Sequence, residues 1–580
     1  MEISIKEGKY IVPADFELEI EELNPLLSGK GSRSIPVTIP GYSHNLALLG
    51  NPHRIALKDK YKAEKRVVIQ DGIFRRTGRQ VIFSASKKGV SSTFYFKEGD
   101  FYTNIKDKSL KDIFSEIVIL ENTVPNIISY LNNVMKGSVQ ENRFAVFPVA
   151  TQWESAESVE TPERPSNNPD ITADTTAIIN YVENNTLVSQ TEYEGVATNV
   201  AGYGITVFPY LNWILDNIFS YFGYKLKPTI WHINADFAKM VLLNSTADTI
   251  VKGYINFGDI VPTSQVSSFL DCICKKYNCA FDIDTGTQTA EFYFLDSVLS
   301  EKTGLKNLTP FIDGDLEITF SDAKQVRLVA KKSNDFTATE TETFNEFKNK
   351  YPNIIEATEA EFQDALNSGN VVLRKANGAY YKKVGGSGTR IIYRKVSSIF
   401  FDYHQGGPIS AETFETDDEF VPIIQLLRRS IPAWFFTPFV GHRRHVYTVI
   451  SNNGEEQAEQ TPDQKIMFCY AAGAGTYGSE TWYHGTPLSC NHLGIKVRQT
   501  GLQFIGNDGI FEHFWKHTDH AMRNAYESVK GILRFPYKEF LNLNYNKLYL
   551  LHGQPVLIKS NKYAVKKGYI DFKEMDFLKV

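Results

Sequence analysis

Cysteine is scarce in this chain: Cys272, Cys274, Cys279, Cys469 and Cys490 are the five thiols among 580 residues. So few, and odd in number, they exclude a disulfide framework and read as reduced thiols. No stretch approaches the roughly 20 apolar residues of a membrane span. The opening Met1-Glu-Ile-Ser-Ile-Lys-Glu carries charge where a signal peptide needs an apolar run. The expectation is a soluble chain made in a cytoplasm, in which the sequons at Asn184, Asn244 and Asn307 carry no meaning. Neither sign of charge dominates. Lys and Arg number 62 against 67 Asp and Glu, a net charge of −5, which argues against a general nucleic-acid binder because phosphate contacts need a basic face.

What the chain does have is aromatic weight, 13% Phe, Trp and Tyr, within 42% hydrophobic and 22% charged residues. That balance excludes a wholly disordered or fibrous chain and favours strands and surfaces that meet other surfaces. The length suggests about four domains at roughly 150 residues each.

Phe16-Glu-Leu-Glu-Ile-Glu alternates apolar and acidic residues as a strand with one wet face does. After a turn at Asn24-Pro25, the proline-punctuated Ser34-Ile-Pro-Val-Thr-Ile-Pro40 suits an edge strand or an arm. Three β runs follow, Arg66–Gln70, Gln80–Ser84 and Thr93–Lys97, separated by Asp71-Gly72, Thr77-Gly78 and Lys88-Gly89, as in an antiparallel meander or small barrel. Residues 154–174 are rich in Ser, Glu, Pro and Asn and predict a long exposed loop. Phe208–Gly223 predicts a helix with Leu211, Leu215, Ile218 and Phe222 on its buried stripe. A second helix, Ser264–Tyr277, precedes a hairpin folded across Asp284-Thr-Gly-Thr287. A helical piece, Thr358–Leu366, carries Thr358 and Glu361 at capping-box spacing, and Gly385-Gly-Ser-Gly388 closes a hairpin. Gly509 opens a long helix to about Val529, and C-terminal strands turn at Gly553 and Gly568. The fold class expected is α+β, β-rich and multidomain: small antiparallel β-barrels or meanders with helix-hairpin units. The division is an N-terminal β-rich barrel domain over 1–125, a connector over 126–205 with the polar loop, and an α+β helix-hairpin domain over 206–335. An inserted mobile subdomain over 336–398 and a C-terminal β domain over 399–580, containing the helix 509–529, complete it.

Motifs that resemble chemistry lack its context. Gly473-Ala-Gly-Thr-Tyr-Gly478 matches G-x-G-x-x-G after an apolar strand, but no helix pattern follows and no acid lies between Glu480 and Asp508 to hold a ribose. A glycine-rich loop between strands is the better reading. Asp284-Thr-Gly matches the aspartic protease loop in one copy only, and reads as a hairpin turn. His513, His517 and His520 share one face of the expected helix, opposite Phe511, Trp515, Thr518, Met522 and Val529, and are the candidate metal ligands. An acidic or cysteine partner is not evidently supplied, so polar-face histidines are the simpler reading; Cys490 and His492 could join them only if the fold brought them near. Cys272, Cys274 and Cys279 lack zinc-ribbon spacing and read as small apolar packing groups. Gly441-His-Arg-Arg-His445 is the one compact basic cluster; it offers a contact for phosphate or an acidic partner, but a solvated turn is the better reading. No catalytic residue, cofactor site or metal site is assigned.

Several segments resemble large tail proteins of phages and prophages of Bacteroides and related bacteria. They are Tyr10-Ile-Val-Pro-Ala-Asp-Phe-Glu-Leu-Glu-Ile-Glu with Ile35–Pro40, the middle unit Val266–Leu299, and Asp508–Trp515 with Leu551-His-Gly-Gln-Pro-Val-Leu-Ile-Lys-Ser560. The resemblance implies a tail hub or tail-tip protein without catalytic residues, and puts Gly509, Phe511, Phe514 and Trp515 at helix-start and core positions. It implies a homotrimeric ring that joins the tail tube or a distal tail protein to spike or fibres and adjoins the tape-measure protein. DNA would pass through it transiently, no stable membrane insertion would occur, and the place would be the distal tip of the virion. The alternatives are a glycan-binding adhesin using Trp482 and Tyr483 as stacking platforms, and a tail-associated wall or capsule hydrolase, which needs a carboxylate pair.

Overall fold

The computed structural model describes residues 1–28, 31–54, 64–151, 171–173, 178–190, 192–193, 196–197, 200–331, 343–387, 390–397, 399–400, 402–428, 433–447, 463–477, 480–524 and 527–580. The expected polar loop at 154–174 lies almost wholly outside them. The fold is α+β and β-rich, with many small antiparallel sheets beside one large one.

The large sheet starts from the meander. Glu64–Asp71, Phe74–Ala85 and Gly89–Phe96 pair antiparallel in sequence order, and among the described residues Val37–Pro40 pairs only with the last, the edge position that its prolines require. Thr77-Gly78 is not a turn. The strand Phe74–Ala85 runs through it, because a Cβ at Gly78 would collide with the Tyr95 carbonyl of the neighbouring strand. The meander does not close into a barrel. Instead Leu18–Leu23 pairs with the C-terminal strand Gln554–Lys566, from Leu18 opposite Val565 to Leu23 opposite Ser560. Tyr569–Lys579, Glu527–Leu533 and Ile312–Phe320 extend the same sheet outward. Its apolar face is one core holding Ile3, Ile20, Ile69, Phe94, Ile558, Tyr563 and Phe577, so both ends of the chain fold on each other.

A second core collects the helices. Leu211–Tyr221 buries Leu211, Ile214, Leu215, Ile218 and Phe219, and the chain leaves the helix through Gly223 at φ +83°. Val266–Lys276 packs beside it, followed by the hairpin Cys279–Asp284 and Thr289–Phe294. In that hairpin the Asp284 carboxylate accepts from the Gly286 and Thr287 amides (2.8 and 3.2 Å) and the Thr287 hydroxyl (2.7 Å). These bonds bend the chain back, so the Asp-Thr-Gly triplet does the work of a turn.

Residues 343–397 form a four-stranded sheet, Ile354–Ala357, Val371–Arg374, Ala379–Ser387 and Arg390–Ser397, over a core that includes Phe362, Leu366 and Tyr381. Glu361 accepts from the Thr358 amide and hydroxyl (3.0 and 2.7 Å), and the helix proper runs Phe362–Asn367.

The long helix expected over 509–529 is two short ones, Ile510–Phe514 and Lys516–Arg523, followed by the strand Glu527–Leu533. The break falls at Trp515, whose indole donates to the Lys276 carbonyl (3.1 Å) and packs on Phe414, with ring centres 4.5 Å apart. Beyond Arg523 the apolar alternation of Val529, Gly531 and Leu533 belongs to the sheet.

Candidate functional site

His513, His517 and His520 are exposed, as their polar face predicts, but the break at Trp515 separates the first from the other two. The His517 ring nitrogen faces Asp296 (2.7 Å), and His520 meets Asn524. Among the described residues, no group of three or more His, Cys, Asp or Glu side chains is placed to hold a metal. Phe511, Trp515, Thr518 and Met522 are buried, as expected of the opposite face, whereas Val529 is buried as part of the strand Glu527–Leu533. All five cysteines are free thiols, and only Cys274 is not fully buried.

The glycine-rich motif lies in a hairpin of Phe468–Tyr477 with Glu480–Thr486, and Gly478 lies outside the described residues. Gly475 has a packing reason, because a Cβ there would enter the ring of His492, and Gly473 sits at φ +90°. His492 packs edge-on against His484, ring centres 4.9 Å apart, and Arg498 stacks on Tyr470 (5.1 Å). Burial, reinforced by His492 and Arg498, pushes His484 down to about 4, and burial lowers His492 too. A histidine buried neutral must take up a proton on unfolding, so stability is lost as pH falls from the unfolded value of about 6.5 toward 4. The expected loss at His484 is about 2 kcal/mol by pH 5, read by urea unfolding at stepped pH, and His484→Gln should remove that slope.

Trp482 is buried, so it cannot serve as the exposed stacking platform of the adhesin reading; Tyr483 is half-buried. The basic cluster is not a solvated turn either. Arg443, Arg444 and His445 are buried. Arg443 donates to Thr151 and Gln190 (3.1 and 2.7 Å), Arg444 to the Asp259 carbonyl (2.6 Å), and His445 meets the Tyr203 hydroxyl (2.7 Å). The Asp248 carboxylate accepts from the Val446 and Tyr447 amides. The partners that permit burial of these cations sit some two hundred positions away in sequence, where local reading does not reach.

Two buried ionic groups had no sequence signal. Glu22 accepts from Tyr545 and Tyr563 (2.9 Å each) and pairs with Arg76 (3.1 Å), while Asn24 donates to the Tyr545 and Ile558 carbonyls. Burial works against this carboxylate, but Arg76, Lys97 and the two hydroxyls hold it at about 2. On the second core, Lys276 pairs with Asp418 at 2.6 Å and lies over the rings of Phe468 and Phe504. Both groups staple segments that are distant in sequence, which gives them a structural role.

What faces outward is an open sheet edge. Ile312–Phe320 ends the large sheet, and among the described residues only Glu527–Leu533 pairs along its length. Asp313, Asp315 and Glu317 charge its start, whereas Ile318 and Phe320 at its end are 50% and 76% exposed. Ile73 and Tyr569, on two hairpin tips that meet at Gly72 and Gly568, are also largely exposed, as are Leu493, Ile495 and Val497. Edge strands carry unpaired backbone donors and acceptors, and the acidic start discourages indiscriminate pairing while the apolar end invites a specific partner.

No family model and no curated protein matches the chain. Among solved structures, the crystal structure of the 43 kDa tail protein of prophage MuSo2 from Shewanella oneidensis aligns with 100% of this chain and 98% of its own. Identity is 8% and the TM-score 0.31, an overlap too loose to carry an argument.

Proposed function

We propose that this chain is a structural protein of a phage tail: a subunit of the hub or tip ring, self-assembled as a trimer, that joins the tail tube to spike or fibres around the DNA exit channel. The open edge at Ile312–Phe320 carries this reading, because it offers unpaired backbone and bare apolar side chains to a neighbour on a sheet that already unites both ends of the chain. The segments resembling Bacteroides-type tail proteins agree with it. A ring needs a heterologous contact, one edge meeting a different surface of the next copy, and the tips at Ile73 and Tyr569 supply an apolar counterpart. In this assignment the strands of both chain ends act together with Ile312–Phe320 through the shared sheet, the helical core supports it, and the sheet of residues 354–397 is the element that meets other tail or host components.

Analytical ultracentrifugation of the full chain tests it. A concentration-dependent trimer is expected, and Ile318→Lys with Phe320→Lys should weaken association by about 100-fold while leaving the urea midpoint of the monomer unchanged. A chain that stays monomeric throughout, or a double variant that assembles as well as the parent, refutes the role given to this edge.

A further inference from the structure

A cavity of about 500 Å³ opens between the sheet of residues 354–397 and the loop 488–508. Its size falls within the roughly 300–1,000 Å³ of small-molecule sites. Three features define what it would hold. The walls are apolar and partly aromatic, with Phe344, Leu488 and Ile505 offering a surface for one face of a ring. The floor is polar: Ser489 is buried and donates to Asp508, and Gln503, only 8% exposed, has its side-chain oxygen buried without a hydrogen-bond partner. An amide left without a partner in so confined a place loses nothing by turning toward a ligand and gains the bond it lacks. The mouth is cationic. Lys348 and Lys496 are exposed and make no ion pair among the described residues, and Lys375 meets Glu356 only at 3.9 Å. Three lysines thus line the cavity with two carboxylates, Glu356 and Asp508.

From this combination we infer that the cavity binds an acidic sugar, a hydroxylated ring bearing a carboxylate. The hydroxyls meet Asp508, Gln503 and Asn507, an apolar ring face lies against Phe344 and Leu488, and the carboxylate sits at the lysine mouth. A neutral sugar would leave the ammonium groups unused, and a bare inorganic anion would leave the apolar walls and the amide floor unused. The inference is independent of how the chain assembles, since the pocket lies within one chain and none of its lining residues belongs to the open sheet edge.

Calorimetric titration of the full-length protein with galacturonate, galactose and inorganic phosphate tests it. Galacturonate is expected to bind with a dissociation constant of about 1 mM or tighter, weakening as salt is raised. Lys348→Ala with Lys496→Ala, both at exposed positions, should weaken it about tenfold or more without changing the unfolding midpoint. Gln503→Leu, which keeps the bulk of the side chain, should weaken galacturonate further while leaving the salt dependence in place. No heat from galacturonate up to roughly 20 mM overturns the inference. So do galactose or phosphate binding as tightly as galacturonate, and a double lysine variant that binds as the parent does.

Discussion

Replacing Asp418 by Ala is expected to destabilise the protein by about 3–5 kcal/mol. Lys276 is 2% exposed and its ammonium is held by the Asp418 carboxylate at 2.6 Å, with the Phe468 and Phe504 rings completing its surroundings. Truncating the acid strands a charge in a place where water cannot reach it. The pair itself contributes little net stability, because removing two ions from water offsets most of their attraction. Lys276→Met with Asp418→Leu should therefore recover most of what Asp418→Ala loses, and urea denaturation of Lys276→Met, Asp418→Leu and the double variant completes the cycle. A double variant as unstable as Asp418→Ala would mean that packing of the strand Ala411–Glu419, not stranded charge, sets the cost.

Glu22→Gln is expected to cost about 3 kcal/mol and to loosen both ends of the chain together. The substitution keeps the shape but leaves the half-buried Arg76 guanidinium without its counter-ion and takes the charge from two tyrosine hydrogen bonds. The sign with pH follows from the depressed carboxyl. Folded at about 2 against an unfolded value near 4.5, Glu22 contributes its full stability above about 4.5 and loses it as pH falls toward 2. The variant should lack that acid-dependent slope, which lies below the window of His484 and can be separated from it. Hydrogen exchange should show protection falling jointly over Leu18–Leu23 and Gln554–Lys566, since these strands share one ladder. Loss of protection in one strand alone would contradict the shared sheet.

Local structure was legible from the residues wherever its cause was local. The meander, the hairpin at Asp284, the turns at Gly553 and Gly568, and the burial of Leu211, Leu215 and Ile218 all follow from alternation, turn chemistry and helical period, whereas Phe222 falls past the helix end and is half-buried. What escaped was set by distant partners. Glu22 looks like one more acid on a wet strand face until Tyr545, 523 positions later, closes over it. The expected helix at 509–529 is interrupted at Trp515, whose indole donates to the distant Lys276 carbonyl, and Gly475 is explained by the ring of His492. The buried Arg443-Arg444-His445 turn likewise depends on Asp248, Asp259 and Tyr203. Neither the Ile318 and Phe320 edge nor the cavity beneath Lys348 and Lys496 has a motif, since each is made where segments distant in sequence come together.

The central claim, that this chain is built into a phage tail, meets its most direct test in electron microscopy of purified virions labelled with antibody raised against the sheet of residues 343–397. Label confined to the distal end of the tail, one cluster per particle, is the expected result. Virions that carry no label, while the protein is abundant and free in the lysate, would contradict it.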